Sequence, residues 1–487
     1  MKIERKNKRK KIIFTVIILF FLIWGITAIY AKFKPIPKGL NFRGEVWSVS
    51  EDSVDFLYDL NYQKDGERVL EQEIFENIFD LVDGAEKFIV IDMFLFNSDY
   101  SDKTRFINLT SVLTEKLIKK KKQNPEIEIV FISDEINNFY GSYVSDEILQ
   151  LRQAGIDFVI TDLTKLRDVN FIYAGFWRAY LQWWGSSGDG WITNPLGNAD
   201  KQVTLRSYLK LINTKANHRK TIVADSGDEI VTIVTSANPH EASSLHSNVG
   251  ILIRGKIYKD LIKSESVVAE FSGSSITIPE INTIEKEGKN EKNVQVQLLT
   301  EEKIRDSLLR EFDSAQAGES IDIAMFYLSD RKIVKALLRA SERGVDVRLI
   351  LDANKDAFAR EKSGIPNRQV AYELVKKSQG KIQIRWYQTS GEQFHSKMII
   401  IKKSDGRVIV FIGSANLTKR NIGRYNLETN VKVISLAETG FSQEVLEYYE
   451  KLWSNKDAEY TIDFKEYGDD SKYWLYRFQE ASGFSSF

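Results

Sequence analysis

Apolar residues along this chain fall into a pattern that is written twice. Residues 71–83 space their apolar positions at helical intervals, and Phe88-Ile-Val-Ile-Asp-Met-Phe-Leu95 follows as a run suited to a buried strand. Residues 303–315 repeat the helical spacing, and Ile321-Asp-Ile-Ala-Met-Phe-Tyr327 repeats the strand, with Met93-Phe94 matched by Met325-Phe326. A second helix and strand come next in each half: 109–121 with 127–134, and 333–343 with 345–352. Third strands are expected at 156–160 and 382–386, and a helix at 441–453. Strands alternating with helices predict a layered α/β domain. Self-similarity at this scale predicts two copies of it.

Each copy ends in a predicted hairpin. The first runs from His218-Arg-Lys220 through the turn Asp225-Ser-Gly-Asp-Glu229 to Thr235-Ser236-Ala-Asn238. The second runs from His395-Ser-Lys397 through Lys402-Lys-Ser-Asp-Gly-Arg407 to Gly413-Ser414-Ala-Asn416. Residues two apart on a strand share a face, so His and Lys point together, and Ser and Asn lie together at the end of the partner strand. Two hairpins brought together would gather two imidazoles, two ammonium groups and two amides. A nucleophilic histidine facing a second histidine, with cationic and amide donors around them, suits an anionic tetrahedral group such as a phosphodiester.

The paired motifs resemble the phospholipase D superfamily, whose signature is His-x-Lys-x4-Asp followed by Gly-Ser-x-Asn, used twice. The first copy carries Asp225 but has Thr235 for the glycine; the second has Gly413 but Lys402 in place of the Asp, with Asp405 displaced into the turn. Position 402 is out of phase with His395 and Lys397, so it should face away from the site, and its change is expected to be structural. The resemblance covers roughly residues 70–455. It implies two duplicated phospholipase D-type α/β/α lobes around one shared active site. It also implies that His218 is the nucleophile and His395 the acid and base. Lys220, Lys397, Asn238 and Asn416 would hold phosphoryl oxygens, with Ser236, Ser414 and Asp225 in support. A carboxylate in the position of Glu428 would orient a motif histidine. The matching stretch of the first copy, Ser247-Asn248-Val-Gly250, has no carboxylate, so His218 is expected to lack a charged orienter or to borrow one. No cofactor and no metal are called for, since two ammonium groups supply positive charge.

The amino terminus adds a membrane. Residues 12–31 are uncharged and almost wholly apolar, and twenty residues at ~1.5 Å rise span a ~30 Å hydrocarbon core. Seven basic residues precede this run against one acid, Glu4. The expectation is a basic cytoplasmic tail at 1–11, one transmembrane anchor at 12–31, and everything after it outside the cytoplasm. The apolar run is longer than a cleaved signal usually carries, and Ala28 and Ala31 lie three apart rather than two. The first lobe is placed at 32–277, a charge-alternating linker at 278–293, and the second lobe with an aromatic tail at 294–487.

The two copies differ most before the first hairpin. An insertion at about 166–206 carries Phe171, Tyr173, Phe176, Trp177, Tyr180, Trp183, Trp184 and Trp191, then Gly185-Ser-Ser-Gly-Asp-Gly190. It reads either as an extra packed helix and loop or as an aromatic lip at the membrane interface. His240 and His246 are six apart, unlike a helical zinc pair, and read as surface or packing residues.

Composition narrows the partner. Lys+Arg and Asp+Glu both number 68, which gives no steering toward a polyanion, so no nucleic acid is expected. The chain has no Cys, which excludes disulfides and thiolate metal sites. The resulting reading is an anchored enzyme that cleaves or transfers a phosphatidyl group, similar to bacterial cardiolipin synthases, with phospholipid and membrane as partners. The alternatives are a nuclease of the same superfamily, which would need a basic face, and a binding module with a decayed site. The oligomeric state is open.

Overall fold

The computed structural model describes residues 2–98, 107–196, 201–279, 294–357 and 360–485. Most of the linker expected at 278–293 lies outside these residues. The duplication is realised as two large mixed sheets. In the first, Phe88–Met93 is central, with parallel neighbours Glu128–Ser133 and Asp157–Ile160 on one side and the antiparallel hairpin Lys220–Ser226/Glu229–Thr235 on the other. In the second, Ser320–Met325 is central, flanked by Asp346–Asp352, Ile382–Tyr387 and the hairpin Lys397–Lys402/Arg407–Gly413. The order of the eight-stranded and nine-stranded sheets is the same around these centres.

Both sheets are buried on both faces, which is why their strands read as unbroken apolar runs. Ile74–Gly84, Leu109–Gln123 and Asp146–Gln153 cover the outer face of the first sheet. Glu302–Ser314, Arg331–Glu342 and Asn367–Lys377 cover that of the second. The inner faces meet in a common core in which Val223, Val234 and Val249 of one sheet pack with Met398, Ile412 and Val431 of the other. The helices Ile257–Phe271 and Gly440–Ser454 enter the same core through Leu261 and Val445.

Three features were not legible in the repeat. Arg43–Val49, which follows the N-terminal apolar helix, adds an edge strand to the second sheet rather than the first. The hairpin Val54–Lys64/Glu67–Gln72 extends the first sheet. The aromatic tail divides, with Tyr460 and Tyr476 buried while Trp474 and Phe478 of the last helix, Tyr473–Ser482, stay exposed. At the other end of the chain Lys2–Phe33 is a single helix, long and apolar enough to cross a membrane.

Candidate active site

Both motif strands begin at the lysine, so each histidine sits two residues outside its strand, next to a short parallel bridge to the other lobe. Asn217 bridges Leu427, with the His218 N–H donating to the Leu427 carbonyl at 2.9 Å. Phe394 bridges Ser247, with the His395 N–H donating to the Ser247 carbonyl at 2.8 Å. The main chain before each histidine is pinned by an aspartate at the end of the second parallel strand. Asn217 N donates to Asp134 Oδ2 at 2.6 Å, and Phe394 N donates to Asp352 Oδ2 at 2.8 Å. Burial raises both carboxyls, to about 8 for Asp134 and about 6 for Asp352.

The side chains repeat this two-fold arrangement. Lys220 Nζ donates to the His218 carbonyl at 2.8 Å and lies 5.0 Å from the Phe94 ring centre. Lys397 Nζ donates to the His395 carbonyl at 2.9 Å and lies 5.5 Å from that of Phe326. The same phenylalanines pack on the imidazoles, at 4.7 Å for Phe94–His218 and 5.0 Å for Phe326–His395. The repeated Met-Phe pair thus supplies the wall behind each histidine and lysine. All four polar groups are buried. Desolvation, reinforced by the two ammonium groups, pushes both histidines well below their usual range, so the imidazoles are neutral. Desolvation also lowers Lys220 to about 7, against the pull of Glu428, Asp92 and Asp134, and lowers Lys397 well below its usual range, with Lys220 adding to the effect.

The histidines are oriented across the lobes. His218 Nδ1 lies 3.1 Å and 2.9 Å from the two carboxylate oxygens of Glu428, which comes from the second lobe. His395 Nδ1 lies 3.1 Å from Asn248 Oδ1, which comes from the first. Thus Glu428 does not serve the histidine of its own copy. His218 borrows the carboxylate, and His395 is the one with a neutral amide. Glu428 is fully buried, which raises its carboxyl to about 7 against the pull of Lys220, Ser414, Asn421 and Lys397.

Residues 308–453 match the family described as cardiolipin synthase, PLD-like domain. Phosphatidylserine synthase from Haemophilus influenzae Rd KW20 aligns over 92% of this chain and 97% of its own, at 11% identity and a TM-score of 0.55. This is a phospholipase D-like fold. Polyphosphate kinase from Porphyromonas gingivalis aligns over 89% of this chain and 53% of its own, at 12% identity and a TM-score of 0.47. The phospholipase D family member Nuc from Salmonella typhimurium aligns over 35% of this chain and 99% of its own, at 23% identity and a TM-score of 0.26. No curated protein matches the sequence.

Within the phospholipase D-like frame the remaining expected residues divide into two groups. Asn238 and Asn416 lie beside the site: Asn238 Oδ1 accepts from Leu95 N at 3.3 Å, and Asn416 Oδ1 is buried without a hydrogen-bond partner. Ser236, Ser414 and Asp225 point elsewhere. Ser236 Oγ donates to Asn248 Oδ1 at 3.2 Å, and Ser414 Oγ donates to Glu428, so the hydroxyls brace the orienting residues. Asp225 accepts from the backbone N–H groups of Glu86, Lys87 and Phe88, at 2.8–3.0 Å, and closes the far end of the sheet. Lys402 faces out beside Asp322 at 3.5 Å, in keeping with its strand phase.

Sequence reasoning missed Asn248 as an orienter, Asn421, which donates to Glu428, and the pinning pair Asp134 and Asp352. The signal for that pair was present: an aspartate ends the second parallel strand in both copies. His246 also lies closer to the chemistry than its spacing suggested. It is buried, with its ring 5.8 Å from that of His395.

Proposed function

We propose that this protein is a membrane-anchored phospholipase D-like enzyme that cleaves or transfers a phosphatidyl group through a phosphohistidine on His218. The observation that carries the reading is the unequal orientation of two otherwise equivalent imidazoles, by a carboxylate at His218 and by an amide at His395. With Nδ1 tied down, Nε2 is the ring nitrogen available to each histidine. Attack of His218 Nε2 on phosphorus leaves positive charge on the ring, and the Glu428 carboxylate is placed to compensate it.

As the P–N bond forms, the P–O bond to the head-group alcohol breaks, and His395 gives that oxygen its proton. An incoming hydroxyl then loses its proton to His395 and attacks phosphorus, and the P–N bond breaks to free His218. Lys220, Lys397, Asn238 and Asn416 hold the non-bridging oxygens. An anionic diester entering the pocket favours the charged form of both lysines and lets His395 take up the proton it must donate. The basic residues before the apolar helix support an orientation with the amino terminus in the cytoplasm and the lobes outside it.

The test is mass spectrometry of lipids after incubation of the purified protein with phosphatidylglycerol vesicles, with His218→Ala alongside. Phosphatidic acid would identify water as the acceptor, and cardiolipin a second phosphatidylglycerol. If neither product forms, the lipid reading is wrong, and hydrolysis of nucleic-acid diesters becomes the reading to assay.

A further inference from the structure

The insertion that the first half carries and the second lacks is bonded along the N-terminal apolar helix. Trp24 Nε1 donates to the Ile172 carbonyl at 2.8 Å, Thr27 Oγ1 to the Gly175 carbonyl at 2.8 Å, and the Tyr180 hydroxyl to the Phe20 carbonyl at 2.6 Å. Phe20 stacks on Tyr180 with ring centres 4.5 Å apart, and Phe176 packs on Trp24 at 5.7 Å. Gly175 is required here, because a Cβ would lie 2.6 Å from the Ala28 backbone. The Ala31 carbonyl accepts from Asp168 N at 3.2 Å. The chain from Asp168 to Tyr180 therefore descends beside the anchor from Ala31 to Phe20, a drop of ~16 Å at ~1.5 Å per residue. That is about half of a ~30 Å hydrocarbon core.

The surface of this element suits such a place. Its one charged side chain between Phe171 and Trp184 is Arg178, which is turned inward onto Asp168 at 2.9 Å. Asp168 also pairs with Lys215 at 2.9 Å. The indoles of Trp183 and Trp184 bring no free donor: Trp183 Nε1 donates to the Ala179 carbonyl and Trp184 Nε1 to the Tyr180 carbonyl, at 3.1 Å and 2.9 Å. The exposed hydrophobic side chains are Trp183, 75% exposed, Trp184, 70% exposed, and Ile172, with Trp191 exposed further along the same insertion. An exposed patch of this kind, continuous with a helix able to cross a bilayer, needs an apolar cover.

We infer that residues 168–184 are a second membrane element that enters the outer leaflet beside the anchor and holds the active site against the lipid surface. The occupant of the aromatic face is the acyl and head-group boundary of the bilayer. The inference rests on the anchored reading given above. It goes further by tying the membrane to the chemistry. The insertion returns through Leu205–Leu211, whose Leu209 carbonyl accepts from the Tyr173 hydroxyl at 2.7 Å, and the chain then leads directly into His218. Lipid that gathers around the insertion thus lies next to the segment that carries the nucleophile.

The chain has no cysteine, so single cysteines can be placed in the full-length protein without removing any. Ile17→Cys, Ile172→Cys, Trp183→Cys and Lys402→Cys would each carry a nitroxide in phosphatidylglycerol-containing vesicles, and collisions with oxygen and with a water-soluble nickel chelate would be compared. The expected result is loss of nickel collisions and gain of oxygen collisions at 17, 172 and 183, with the reverse at 402. Nickel access at 172 and 183 with oxygen access at 17 would overturn the second element and leave the anchor standing. Shielding of 172 and 183 from both probes would overturn it in favour of a protein cover, such as a second copy of the chain. Nickel access at 17 as well would overturn both this inference and the anchored reading on which it rests.

Discussion

The first hairpin keeps an aspartate, Asp225, on its outgoing strand, where three backbone N–H groups converge on it; the second has Lys402 at the matching place. There Glu319, at the start of the neighbouring strand, reaches back to Ser404 N at 3.2 Å and Lys403 at 3.2 Å. The same joint is closed from opposite sides. At the other end of the hairpins the exchange runs the other way, because the first lobe offers the amide of Asn248 and the second the carboxylate of Glu428. The backbone is symmetric through both bridges, both pinning aspartates and both lysine–carbonyl bonds. Charge is where the copies differ. The difference at the turn is compensated locally and leaves the site alone. The difference at the orienting position is transmitted across the interface to the opposite histidine, and in the proposed mechanism it divides the labour between two imidazoles that geometry alone would leave equivalent.

Removing the histidines tests that division most severely. His218→Ala should lose turnover on the order of 10⁶-fold, as loss of a covalent nucleophile does. His395→Ala should lose about 10²–10⁴-fold, the range for an acid–base group. With a substrate whose leaving group needs no proton, His395→Ala should still form a phosphoenzyme, which rapid acid quench and peptide mapping would locate on His218. A phosphoryl label found on His395 would reverse the assignment and separate the role of nucleophile from the carboxylate.

The orienting residues give the next largest effects. Glu428→Gln keeps an acceptor but removes the charge, and should lower kcat on the order of 10²–10⁴-fold, by analogy with loss of charge behind other histidine bases. Asn248→Ala should cost about 10–100-fold, as removal of a neutral supporting group does. The pH profile carries the same comparison. Glu428 is active when ionised, and its burial raises it to about 7, so kcat/KM should fall as pH drops through about 7 rather than near 4.5. That acid limb should vanish in Glu428→Gln and persist in Asn248→Ala. An unchanged limb in Glu428→Gln would assign it to another group.

The two lysines predict a smaller, non-catalytic effect. Both are lowered by burial, so an anion bound between them should stabilise the fold. Inorganic phosphate at 100 times its Kd should add about 2.7 kcal/mol, read as a rise in Tm. Lys220→Met should abolish the rise.

Much of this is legible in the sequence. The helix and strand spacing of 71–134 and 303–352 located both central sheets to within a few residues, since strands buried on both faces leave unbroken apolar runs. The paired His-x-Lys and Ser-x-Asn segments picked out the candidate site. What stayed hidden has a common cause: it depends on contacts between lobes. Nothing in the order of residues tells that Glu428 reaches His218 rather than His395, because the crossing comes from the bridges Asn217–Leu427 and Ser247–Phe394. Arg43–Val49 joins the second sheet for the same kind of reason, as a segment whose partner lies far along the chain. The strand phase of Lys402, by contrast, is a local property and was read correctly from the sequence.

The turn end of the hairpins should therefore respond through stability and not through chemistry. Asp225→Ala leaves the N–H groups of Glu86, Lys87 and Phe88 short of an acceptor, and should cost about 1–3 kcal/mol. Glu319→Ala should behave alike on the other lobe, since Ser404 N and Gln316 N both donate to it. Lys402→Ala, on an exposed side chain, should stay within about 0.5 kcal/mol. Urea midpoints would give these values, and activity per folded molecule should be unchanged in all three variants. If Asp225→Ala instead lowered kcat while its midpoint stayed put, the aspartate would belong to the site. The two ends of the hairpin would then no longer be independent, and the substitution of Lys402 in the second copy would need a chemical reason rather than the structural one that Glu319 supplies.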